Sequence, residues 1–157
     1  MNFINKLRSS YDKFKIIIIY ILLYIVTILV GNKIDYDYTS ITENAYIILI
    51  INTILFILLI KLFNVKFKVV KSFIIGIMIC FFICIIDRGY FLSGFQESMI
   101  DNSIIPFITY PLNIILLPFV GIFDWLYAIG MFNLSIIIIP IYFLILLFIL
   151  KKIVKAN

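Results

Sequence analysis

The stretch "YPLNIILLPFVGIFDW", Tyr110–Trp125, decides the fold of this chain. It is apolar enough to enter a membrane, yet prolines break it and an acid, Asp124, stands one residue before its end. If it crosses the bilayer, everything after it points one way. If it enters and returns, everything after it points the other.

The remainder of the chain is unlike a soluble domain, in which roughly half the residues are apolar and a quarter charged. Of 157 residues, 65% are hydrophobic and 13% charged, and the mean hydropathy is +1.23. The composition is that of an integral membrane protein. Forty isoleucines against three alanines fit an AT-rich, hence bacterial, genome better than any packing need. Most isoleucines therefore carry no positional message.

Four segments reach the length of about 17–25 apolar residues that a spanning helix needs, with lysines at their ends able to snorkel. They are 14–31, 45–63, 69–86 and 133–150. The first is an uncleaved anchor, since its basic start leads into "ILVGNKID" with no small-residue cleavage pattern. Before it, Phe3, Ile4, Leu7, Tyr11 and Phe14 recur at helical spacing among lysines. Residues 1–13 thus read as a basic amphipathic segment on the membrane surface. Ser40 and Glu43 form a capping-box pattern ahead of the second span.

Charge then tests the opening stretch. If residues 104–123 do not cross, one side holds Lys6, Arg8, Lys13, Lys15, Lys61, Lys66, Lys68, Lys71, Lys151, Lys152 and Lys155, and the other only Lys33 and Arg88. That other side also takes seven of the eight acids. Crossing would reduce the basic split from eleven against two to eight against five. The excess of Lys and Arg on the cytoplasmic side favours the non-crossing arrangement. Pro106, Pro111 and Pro118 agree, each removing a backbone donor and disfavouring helix in the residue before it. The expected fold is therefore an all-α integral membrane protein with four transmembrane helices, both termini cytoplasmic. A re-entrant or interfacial helical segment, 104–131, lies between spans three and four. Pro106, Pro111, Pro118, Asp124, Trp125 and Tyr127 would form an outer interfacial cap, because Trp and Tyr favour headgroup depth.

Chemistry has few places to reside. The chain contains no histidine, so His-based triads and His-containing metal sites are excluded. Two cysteines are too few ligands for a metal site, glycine patterns for phosphate or dinucleotides are missing, and the scattered lysines do not form a nucleic-acid surface. No cofactor and no nucleic-acid partner is expected. Ser72, Gly76, Cys80 and Cys84 recur every fourth residue in span three, a small-residue stripe suited to close helix packing. Asn52, mid-span in an apolar run, must find a partner on another helix, span three being the expected one.

Asp87 in "IIDRGYF" and Asp124 in "FDWLY" are expected at one interface. Two carboxylates brought close would split their pKa values, as an acid–base pair requires. Ile86-Asp87-Arg88 and Phe132-Asn133 also resemble elements of lipoprotein signal peptidases. In those four-span enzymes one catalytic Asp follows the third span and another closes a Phe-Asn-x-x-Asp element before the fourth. Ile136 stands where that second Asp would be, the two elements lie farther apart than in the family, and the first outer loop is too short for its substrate cradle. The family is therefore not assigned.

The expected function is a non-enzymatic accessory, assembly or immunity-type membrane module engaging lipid, another membrane protein or a second copy of itself at the outer leaflet. The alternatives are an outer-leaflet enzyme using Asp87 and Asp124 on a lipid-linked substrate, and a small transporter or channel subunit with Asn52 lining its path.

Overall fold

A computed structural model of the chain describes residues 2–31, 41–92, 111–112 and 114–155, with side chains over 11–30, 46–85, 111–112, 114–126, 129–131 and 133–154. Nearly all of it is helical. The helices α1 (Asn2–Gly31), α2 (Ile41–Leu62), α3 (Phe67–Leu92), α4 (Gly121–Ala128) and α5 (Ser135–Lys155) are joined by helical residues at 111–112 and 114–116 and by 3-10 turns at Leu117–Phe119 and Phe132–Leu134. Pro106, Tyr110, Ser40 and the loop Ser93–Ser103 lie outside the described residues.

Three stretches are long and apolar enough to cross a membrane: Tyr11–Val30, Phe67–Ile85 and Ser135–Val154. A shorter apolar stretch, Tyr46–Leu62, lies on α2. Outward faces carry Ile21, Ile25 and Leu29 on α1, Ile54 and Leu58 on α2, and Ile141, Leu144 and Phe148 on α5, all exposed. A soluble monomer rarely leaves apolar surface this continuous. The protein is membrane-embedded.

The amphipathic start is not set apart from the first span. Helix α1 runs unbroken over Asn2–Gly31, since no Gly or Pro interrupts it.

A short turn joins α2 to α3. Asn64 takes a positive φ of 48°, the Val65 N–H donates to the Ile60 carbonyl at 3.2 Å and the Asn64 N–H to that of Lys61 at 3.1 Å. This is a Schellman closure, with its usual apolar contact supplied by the buried pair Ile60 and Val65. Helix α1 docks antiparallel on α2. Lys15 Nζ donates to the Phe63 carbonyl at 2.9 Å, and buried Asp12 pairs with Lys66 at 3.3 Å and Lys15 at 4.0 Å. One end of the bundle is thus fixed by charge.

The proline-bearing segment occupies the other half of the bundle interior. Leu116, Pro118, Phe119, Ile122, Phe123 and Leu126 are buried. The Phe119 ring lies against Tyr20 of α1 (6.4 Å between centroids), Phe56 of α2 (5.9 Å) and Phe143 of α5 (5.6 Å). Tyr20 and Phe56 each stand about two turns from the ion-paired end, roughly 10–12 Å along their helices, so Phe119 sits deep in the bundle. From there the chain moves away from that end. Phe123 meets Phe81 (4.9 Å), and Phe81 is about 12 Å beyond Phe73, the α3 residue that faces Tyr20. Gly130, at φ +70°, then closes α4: the Met131 N–H reaches the Leu126 carbonyl at 2.9 Å. Helix α5 returns, bringing Phe143 back to Phe119. From Phe119 the described segment thus runs away from the ion-paired end, and α5 runs back toward it.

Candidate functional site: the buried proline segment

A 3-10 turn at Leu117–Phe119 holds Pro118 in its first positions, where a missing N–H is tolerated. What remains is a carbonyl in an apolar interior, which needs a donor. Asn52 of α2 supplies one: its Nδ2 donates to the Pro118 carbonyl at 2.7 Å. The second Nδ2 proton goes to Thr27 Oγ1 of α1 at 2.8 Å, while the Thr27 hydroxyl itself donates to the Leu23 carbonyl at 2.9 Å. The amide orientation follows from this network. A carbonyl only accepts, so the nitrogen must face Pro118. Asn52 is fully buried and its Oδ1 has no hydrogen-bond partner among the described residues.

Two further polar contacts flank this one. The Tyr20 hydroxyl donates to the Ile115 carbonyl, tying α1 to the residues just before the 3-10 turn. Thr53, next to Asn52, donates to the Leu49 carbonyl at 2.6 Å and therefore accepts from the Tyr142 hydroxyl at 2.6 Å. Among apolar side chains, each of these groups draws on its protein partner. Together they join α1, α2, α5 and the proline-bearing segment.

Asn52 does meet other elements, but its partners are α1 and the proline segment rather than α3. Asp124 is half-buried in the first turn of α4, where the helix dipole favours a carboxylate. Asp87 lies on α3 near its end, with its side chain outside the described residues; Tyr127 on α4 is in the same position. Trp125 is half-buried against the core, and Pro111 is exposed. Pro118, expected in a cap at the interface, is buried beside Asn52 instead.

The small-residue stripe divides. Ser72 and Gly76 are exposed, Cys80 is half-buried and Cys84 is buried. Within the monomer α3 turns Val70, Ile74, Ile77, Phe81 and Ile85 to the core, because the aromatic interior needs volume rather than close backbone approach. Cys80 and Cys84 are both unbridged. Among the described residues no group of three or more metal-ligating side chains converges. Below Phe119, toward the ion-paired end, the interior is filled by buried Ile16, Ile60, Val70, Ile74 and Leu150.

Sequence reasoning missed Tyr20, Thr27, Tyr142 and Asp12. The available signal was that of Asn52: a lone polar group in an apolar run, bound to find an internal partner. No protein-family model matches the chain, and no curated protein or solved structure matches it.

Proposed function

We propose that the chain is a four-span protein of the bacterial cell membrane, with the ion-paired, lysine-rich end facing the cytoplasm together with both termini. It acts as a non-enzymatic accessory, assembly or immunity-type module, and the tip between α4 and α5 engages lipid or another membrane protein at the outer leaflet. The observation that carries this reading is the Asn52–Pro118 hydrogen bond. It anchors the re-entrant segment as a plug above an apolar interior, which suits a fixed presenting surface and not a conducting path. Exposed Ile129, Met131 and Leu134 stand at the tip of that surface.

Two measurements on intact cells test it together. A photo-crosslinking residue replacing Met131 should give a discrete, reproducible adduct with one membrane protein or with lipid. Separately, Asp87→Asn and Asp124→Asn variants that insert normally should keep whatever phenotype deletion of the chain abolishes. Loss of that phenotype in both variants would replace this reading with that of an aspartate-dependent enzyme.

A further inference from the structure

The ion-paired end of the bundle has a marked charge imbalance. Lys13, Lys61, Lys66, Lys68, Lys71, Lys151 and Lys152 are exposed there. Asp12 is the one acid among the described residues at that end, and it is buried and engaged by Lys66 and Lys15. Lys68 and Lys71 therefore face outward with no carboxylate to meet them among the described residues.

On α3 these two lysines head a single exposed face. At spacings of three and four, Lys68, Lys71, Ser72, Ile75, Gly76 and Ile79 follow one another along the helix. The first three present two ammonium groups and a hydroxyl. Beyond them, Ile75 is 42% and Ile79 55% exposed, and a side chain at Gly76 would meet nothing within 4 Å. Lys68 to Ile79 spans roughly 16 Å, about the depth of one leaflet's hydrocarbon. A cationic, hydroxyl-bearing head continuous with an apolar flank of that length matches an anionic phospholipid: phosphate at the lysines, acyl chain along the isoleucines.

Charge separates this occupant from the other obvious one. Two copies in one membrane share an orientation, so pairing through this face would set Lys68 and Lys71 against their counterparts at the same depth, which is repulsive. We propose that the Lys68–Lys71–Ser72 face of α3 is a binding site for anionic phospholipid of the leaflet at the lysine-rich end. This does not depend on the outer-face reading above, because the two surfaces lie at opposite ends of the bundle.

The test uses the full chain, purified in mild detergent and examined by native mass spectrometry against mixed micelles of phosphatidylglycerol and phosphatidylcholine. The wild type should retain phosphatidylglycerol preferentially. At about fivefold per lysine near an anionic surface, the Lys68→Gln, Lys71→Gln double variant should lose the preference by roughly 30-fold. Lys151→Gln with Lys152→Gln should keep most of it, and Lys68→Arg with Lys71→Arg should keep it too, which separates charge from folding. Equal preference in wild type and the Lys68→Gln, Lys71→Gln variant overturns the proposal. So does near-complete cross-linking of two copies through Ile79→Cys in a background lacking Cys80 and Cys84.

Discussion

Replacing Asn52 probes the join between the proline-bearing segment and the bundle. In the Asn52→Leu variant two buried hydrogen bonds disappear, the 2.7 Å bond to Pro118 and the 2.8 Å bond to Thr27. Side-chain hydrogen bonds within membranes contribute about 0.6 kcal/mol on average and up to about 1.7. Stranding the Pro118 carbonyl in an apolar interior adds a desolvation cost of roughly 1–3 kcal/mol. Against this, leucine removes the unpartnered Oδ1, which returns about 1 kcal/mol. The net loss is roughly 1–3 kcal/mol. Asn52→Asp is the sharper perturbation. It preserves the shape, but an ionised carboxylate strands both acceptors and a protonated one can donate to only one of them, leaving the other facing a carboxyl oxygen, so it should cost more than leucine despite being the smaller change.

Trp125 is the single tryptophan and packs at the edge of the core on α4, so its fluorescence reports on this segment directly. Unfolding in detergent with increasing dodecyl sulfate should rank wild type above Asn52→Leu and that variant above Asn52→Asp. Hydrogen exchange should rise first at the amides of Phe119–Leu126. An Asn52→Asp protein as stable as wild type, or unchanged exchange in those amides, refutes the reasoning.

Thr53→Val and Tyr142→Phe should each lose stability, and a double-mutant cycle between them should give a coupling of about 0.6 kcal/mol or more, since they share one hydrogen bond. Asp12→Asn should lower stability by about 1 kcal/mol in dodecyl sulfate titrations, a modest figure because Lys66 is half exposed to solvent. Gly130→Ala should cost about 1 kcal/mol from its positive φ alone, whereas Gly76→Ala, in an ordinary helical position with open space, should be neutral or slightly stabilising. Thermal melts of that pair separate backbone strain from packing.

Much of this architecture was legible because membranes impose coarse rules. Length and apolarity marked out the helices, and Pro111 with Pro118 marked out the broken segment between α3 and α5. Asn52 announced an internal partner simply by being polar at that depth. Which partner it takes was hidden, because a backbone carbonyl such as that of Pro118 has no signature in the sequence.

The buried face of α3 was hidden for a related reason. In helices apolar all round, isoleucine faces lipid as readily as core, so only the small residues offered a pattern. That pattern pointed to Ser72 and Gly76, while the interior is organised by Phe56, Phe73, Phe81, Phe119 and Phe143. Aromatic packing across four elements depends on their relative depth, which the spacing within one helix does not encode. The burial of Asp12 follows the same logic, since its cationic partner Lys66 comes from the α2–α3 turn.

Single cysteines at Ser93 and at Met131, introduced one at a time in a chain lacking Cys80 and Cys84, bracket the proline-bearing segment. Labelling each in intact cells with a membrane-impermeant maleimide measures whether the chain comes back to the side it left. Entry and return require both positions to react from outside. Reaction at one position with protection of the other, reversed in inside-out vesicles, would mean that the segment crosses and that α5 runs the opposite way.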